Sequence, residues 1–189
     1  MKITTILGSP RKRGNTAAVL GLFEALIPSP HRVERFNIMD CTVKGCLGCD
    51  TCFKTLNEPG CVQQDDASAI FRHLMDSDLI VYTTPVYVWG FSAQMKALMD
   101  RHYSLVKWAD GQVVKALLKG KRTALLVTCG DTEENNADLV LEAFDREMDY
   151  LGCTVAGKYV VPQCTKPSEL GDKGEKTARQ MHADLLGVQ

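Results

Sequence analysis

The sequence predicts an α/β fold in which one five-stranded parallel sheet is covered by helices on both faces. Three observations predict it. Short runs of β-branched and apolar residues recur along the chain, segments with helical spacing separate them, and 189 residues accommodate five such βα units in a single domain spanning 1–189.

The elements follow in order. Ile3 to Leu7 is the first strand, and Val19, Leu22, Phe23 and Leu26 mark the helix after it. Arg32 to Ile38 alternates more and reads as an edge strand, followed by a helix with Ile70, Phe71 and Leu74. Leu79 to Thr83 and Thr123 to Thr128 are rich in β-branched and apolar residues, as strands buried on both faces are. Phe91, Met95, Leu98 and Met99 mark the helix between them. Val140, Phe144, Met148 and Leu151 lie on one face of the next helix, which Gly152 ends as a left-handed cap. Thr154 to Val161 is the last strand, and a helix runs from about Leu170 to Leu186. In such a fold every loop leaving a strand for a helix lies at one edge of the sheet, where ligands bind. Those loops are about residues 8–15, 39–65, 84–90, 129–135 and 162–169.

Composition removes several classes of function. With 45% hydrophobic and 24% charged residues the balance is ordinary, and no apolar run is long enough to cross a bilayer. The start Met-Lys-Ile-Thr-Thr-Ile-Leu reaches Gly8 without the apolar core or cleavage site of a secretory signal, which predicts a cytoplasmic protein. A net charge of −1 argues against nonspecific nucleic-acid binding. Eight cysteines in that setting point to metal, redox or core roles rather than a disulfide framework.

The first loop reads Gly8-Ser9-Pro10-Arg11-Lys12-Arg13-Gly14-Asn15-Thr16. Glycines allow a tight turn, short polar side chains stand beside the unpaired N–H groups of a helix start, and basic residues add charge, which is the chemistry of a phosphate site. Neither a Walker A loop nor a G-x-G-x-x-G fingerprint is present, so a mononucleotide is the better ligand. The plainer alternative is a capped connecting loop with a solvated basic patch. After the third strand comes Thr84-Pro85-Val86-Tyr87-Val88-Trp89-Gly90-Phe91. Its stiff turn, bare amides and aromatics suit a flat heterocycle such as a flavin, although the aromatics also suit plain packing.

The loop at 41–64 holds Cys46, Cys49 and Cys52 at C-x2-C-x2-C spacing, with Cys61 after eight more residues. Thiols so spaced converge on the corners of an iron–sulfur cluster, and a four-cysteine zinc site is the alternative. Amides around Gly45 and Gly48 and the Lys44 side chain are placed to offset thiolate charge. Cys41, Cys129 and Cys164 are candidate substitute ligands or thiols near a cofactor, and the four histidines show no metal-ligand spacing.

On these residues, over nearly the whole chain in element order, the sequence resembles the flavodoxin-like NADPH-dependent FMN reductase and iron-sulfur flavoprotein group. The resemblance implies a flavodoxin-like three-layer sandwich with strand order 2-1-3-4-5. It implies that Ser9, Arg11, Asn15 and Thr16 hold the FMN phosphate, with Lys12 and Arg13 facing solvent. It implies that Pro85, Val86, Tyr87, Val88 and Gly90 wrap the isoalloxazine and ribityl chain, while Cys129 and Gly130 approach the flavin edge. Lys96, Asp100 and Arg101 match the group's helix pattern in a packing or salt-bridge role. Cys46, Cys49, Cys52 and Cys61 would ligate one [4Fe-4S] cluster, although the gap to Cys61 is longer than the group's compact motif. The implied function is an oxidoreductase passing electrons through FMN and the cluster, between a ferredoxin-like or NAD(P)H donor and an acceptor, as a homo-oligomeric dimer or tetramer. The rival readings are a cluster-free NAD(P)H-dependent reductase of flavin, quinone, nitro or azo compounds, and a flavodoxin-like carrier without turnover.

Overall fold

The computed structural model describes residues 1–187. Its main sheet contains β1 (Lys2–Leu7), β2 (Arg32–Asn37), β3 (Leu79–Pro85), β6 (Arg122–Thr128) and β7 (Thr154–Val161). The order is β2-β1-β3-β6-β7 with every pair parallel, which is 2-1-3-4-5 when these five strands are numbered alone. Residues along each strand alternate between two buried layers. Ile6, Ile80, Tyr82, Leu125 and Val127 face α2 (Ala67–Asp76), α3 (Ala93–Asp100) and α4 (Asp138–Tyr150). Ile3, Leu7, Leu79, Val81, Leu126 and Val161 face α1 (Asn15–Ala25) and α5 (Lys173–Leu186). Continuous apolar runs on β1, β3 and β6 are therefore the consequence of helices on both sides. Gly152, at φ +69°, follows Leu151, the C-cap of α4, in the left-handed conformation that favours glycine.

Several local expectations change. In α1 the core residues are Val19, Leu20 and Phe23, whereas Leu22 is 37% and Leu26 36% exposed. Phe91 lies before α3, because Ser92 caps that helix by accepting the Met95 N–H at 3.2 Å. The last helix starts at Lys173 rather than near Leu170, since a short 3-10 turn at Pro167–Glu169 comes first.

One element was not anticipated. A hairpin of β4 (Val106–Ala109) and β5 (Gln112–Ala116) stands apart from the main sheet. Its turn is Asp110-Gly111, both at positive φ, a dipeptide that marks tight hairpins. The strand pattern was obscured because Val113 and Val114 are both exposed and so break the usual alternation.

Candidate functional site

At the C-terminal edge of the sheet the loops after β1, β3, β6 and β7 enclose a cavity of about 260 Å³. Ser9, Arg11, Asn15, Thr16, Pro85, Val86, Tyr87, Cys129 and Gly130 line it, joined by Gly14, Thr128, Cys164 and Thr165. Four of its walls are tied by backbone bonds. The Gly8 N–H donates to Thr83 O at 2.8 Å, Val86 N–H to Thr128 O at 2.9 Å, Cys129 N–H to Val161 O at 3.1 Å and Cys164 N–H to Cys129 O at 3.0 Å. The approach at Gly8 leaves no room for a side chain, because a Cβ there would stand 2.7 Å from Met95 Cβ and 3.2 Å from Thr83 O.

The start of α1 is open toward this cavity. Gly14 is the N-cap and no side chain caps the helix, which removes the Asn or Thr cap of the plainer alternative, a capped connecting loop. The first bond of the helix runs from Ala18 N–H to Gly14 O, so the N–H groups of Asn15, Thr16 and Ala17 precede the ladder. Both polar side chains of this turn are anchored. Asn15 Nδ2 donates to Cys164 O at 2.6 Å, and Thr16 Oγ1 meets Thr128 Oγ1 at 2.7 Å. Asn15 Oδ1 is buried without a partner among the described residues. Positive dipole, unused donors and the Arg11 guanidinium make an anion cradle, which fits a phosphate. Lys12 and Arg13 are exposed, and Lys12 pairs with Asp40.

Val88 and Gly90 do not line the cavity. Tyr87 and Gly90 exchange two backbone hydrogen bonds of 3.0 Å across a two-residue turn, with Val88 at φ 50° and Trp89 at φ 58°. A β-branched residue in that region is strained, by about 1–3 kcal/mol. The turn presents Val88, 88% exposed, and Trp89, 56% exposed, at the rim. Trp89 Nε1 donates to Asn135 O at 3.0 Å, joining the turn to the loop after β6. Cys129 is an inert wall. Burial, then the nearby Cys164, pushes its thiol up to about 11, and its Sγ donates to Asp131 O at 3.3 Å.

A second cavity is lined by four of the five thiols in the loop after β2, Cys46, Cys49, Cys52 and Cys61, together with Arg101, Tyr103 and Ser104. Cys52 is buried and Cys61 half-buried, whereas Cys46 and Cys49 lie on an exposed arm. The Gly48 N–H donates to Cys46 Sγ at 3.4 Å. Among the described residues no three Cys, His, Asp or Glu groups stand close enough to hold a metal ion. What fits a metal group is the donor chemistry, with four soft thiols bordering one space beside buried cations. Cys129 and Cys164 border the other cavity, and Cys41 donates to Asn37 O at 3.5 Å, so none of the substitutes lines this one.

The cations are not the expected one. The Lys44 side chain is exposed, and its backbone is held instead, by Asp65 at the N–H and by Arg101 at the carbonyl. Arg101 and Asp65 form a buried bidentate pair at 2.6 and 3.1 Å. Burial opposes both charges, but their mutual hydrogen bonds prevail, lowering the Asp65 pKa and raising that of Arg101. Lys107, on β4, is fully buried, and its Nζ donates to Cys52 O at 2.9 Å, Pro59 O at 2.9 Å and Ser104 O at 2.7 Å. The sequence signal for it was a lone lysine inside the apolar run Leu105-Val106-Lys107-Trp108. Lys96 forms the expected surface pair with Asp100.

A family model described as NADPH-dependent FMN reductase matches residues 1–179. An iron-sulfur flavoprotein of Archaeoglobus fulgidus is 33% identical over 189 residues, covering 98% of this chain and 79% of that protein. An iron-sulfur flavoprotein of Methanosarcina thermophila is 34% identical over 102 residues, 53% of this chain and 52% of that one. Among solved structures, an NAD(P)H:quinone oxidoreductase from Methanothermobacter marburgensis superposes with a TM-score of 0.76 at 16% identity, covering 100% of this chain and 98% of that one, and so shares the fold.

Proposed function

Because the chain belongs to the NADPH-dependent FMN reductase family and is a flavin-dependent oxidoreductase, we propose that it passes electrons between a ferredoxin-like or NAD(P)H donor and a small acceptor, using FMN and a [4Fe-4S] cluster. The observation that supports the cluster is that Cys46, Cys49, Cys52 and Cys61 all border one cavity walled by a buried guanidinium. FMN, when bound, supplies one- and two-electron chemistry, and the cluster supplies single-electron steps.

The protein's own contribution is position and charge. Asn15, Thr16 and the open turn of α1 hold the phosphate, with Arg11 adding positive charge. Pro85, Val86 and Tyr87 form the wall for the ring, and Gly130 leaves backbone room at its edge. Trp89 and Val88 form an apolar rim that excludes water and receives the partner copy in a homo-oligomer. Tyr87 is the nearest ionisable side chain of that wall, and no acid or base is assigned. Among the described residues no helix is long and apolar enough to cross a membrane.

The test is iron and sulfide content after anaerobic reconstitution, in wild type and in single Cys→Ser variants, with FMN measured in parallel. Four irons per chain, lost in the Cys46, Cys49 and Cys52 variants, supports the reading. FMN without iron uptake in wild type would leave the cluster-free NAD(P)H-dependent reductase, which the exposure of Cys46 and Cys49 favours.

A further inference from the structure

We propose that Lys107 is the built-in counter-charge of an anionic, cysteine-ligated metal group in the thiol cavity. The inference rests on the proposed function and goes beyond it, since it concerns a residue outside the thiol set.

The argument begins with hydrogen counting. Lys107 Nζ has three carbonyl acceptors, those of Cys52, Pro59 and Ser104, each within 2.9 Å. Three acceptors require three N–H donors, and a neutral amine has two, so the group is an ammonium. Its side chain is fully buried, and among the described residues no carboxylate lies within salt-bridge distance of it. The carbonyls satisfy its hydrogens, and its charge is met only from beyond contact distance, by Glu58 and by the loop thiols Cys52 and Cys61. Burying a charge away from water is costly, and folds retain one where an opposite charge is supplied.

The position of the ammonium says where that opposite charge enters. One of its acceptors is the carbonyl of Cys52 itself, and another, Pro59, lies two residues before Cys61. The third, Ser104, borders the thiol cavity directly. The cavity's other buried cation is already matched, because Arg101 is paired with Asp65. Four thiolates outweigh the charge of the metal core that they bind, so the loaded site is an anion beside Lys107. Net charge and nearby donors set the potential of such a group, and a fixed cation favours its reduced form. The same three bonds position the loop, drawing the turn at Cys52 and the turn before Cys61 onto one anchor on the β4–β5 hairpin.

The two roles separate in the potential. Full-length wild type, Lys107→Met and Lys107→Arg would be reconstituted anaerobically with iron and sulfide and their FMN, iron and midpoint potential measured, the last by a redox titration followed by electron paramagnetic resonance. FMN content is expected to be equal in all three, since Lys107 does not line that cavity. The Met variant is expected to load less iron and to show a midpoint potential shifted to more negative values, while the Arg variant stays near wild type. Lys107→Gln, which keeps a donor without the charge, carries the same expectation if the Met variant does not fold. An unshifted potential in the iron-loaded fraction of the uncharged variants overturns the inference, and so does failure of both Lys107→Met and Lys107→Gln to load any iron, because loss alone is what a framework residue would give. Absence of iron from wild type would instead overturn the proposed function, and this inference with it.

Discussion

The two cavities are built by opposite means. The sheet-edge cavity is fixed by main-chain bonds between loops that leave neighbouring parallel strands, at Gly8, Val86, Cys129 and Cys164. The thiol cavity sits in a long loop that pairs with no strand, and side chains from elsewhere hold it. Arg101 binds Lys44 O and Asp65, Lys107 gathers three carbonyls, and Gln63 Nε2 donates to Gly45 O at 2.9 Å. Regular architecture spreads stability over many backbone bonds, whereas an irregular loop concentrates it in a few buried charges. Single side-chain changes are therefore expected to reach further in the second region.

Asp65→Asn tests this most severely. It leaves the buried Arg101 charge unpaired, at a cost of about 3–5 kcal/mol, and is expected to lower stability in chemical denaturation while FMN binding in the surviving fold persists. The pH dependence has a definite sign. Asp65 has a lowered pKa in the fold, so its stabilisation is complete above its unfolded value of about 4 and is lost as pH falls through the folded value. The gap between wild type and Asp65→Asn is expected to narrow in acid, and a constant gap down to strongly acid pH would contradict the buried pair.

At the sheet-edge cavity the expected effects are smaller. Thr16→Glu puts a negative charge at the anion cradle and removes the contact with Thr128. A charged hydrogen bond is worth about 1.5–3 kcal/mol, so FMN affinity in fluorescence titration is expected to fall roughly tenfold to a hundredfold, with little change for riboflavin. Equal loss for both ligands would show that the cradle holds no phosphate. Gly8→Ala forces a Cβ against Met95 and Thr83, and the overpacking is expected to cost about 1–3 kcal/mol in thermal unfolding. Least of all should Cys129 respond. With its thiol held near pKa 11, alkylation monitored by mass spectrometry is expected to be negligible at neutral pH and to accelerate only toward that value. Rapid labelling of Cys129 at neutral pH would mean that the cavity wall opens.

Much of this was legible in the sequence because its signals are local. Strand runs, helix spacing and the loop after β1 depend on neighbours within a few residues, and a parallel sheet then brings the loops to one edge. The exposure of Leu22 and the capping of α1 by Gly14 were not legible, since a helix's inward face depends on what packs against it. The turn at Val88 and Trp89 was also hidden, because nothing about those residue types announces positive φ.

The sequence by itself determined the order of elements, the main sheet, the phosphate-type loop and the presence of four thiols at cluster spacing, all of which are short-range patterns. Only the tertiary structure decided which charges meet those thiols. Lys44, adjacent in sequence, turns outward, while Arg101 and Lys107, dozens of residues away, are buried beside Cys52 and Cys61. Burying a charge is determined by the packing of distant elements, here the end of α3 and the β4–β5 hairpin, and no spacing along the chain encodes that contact.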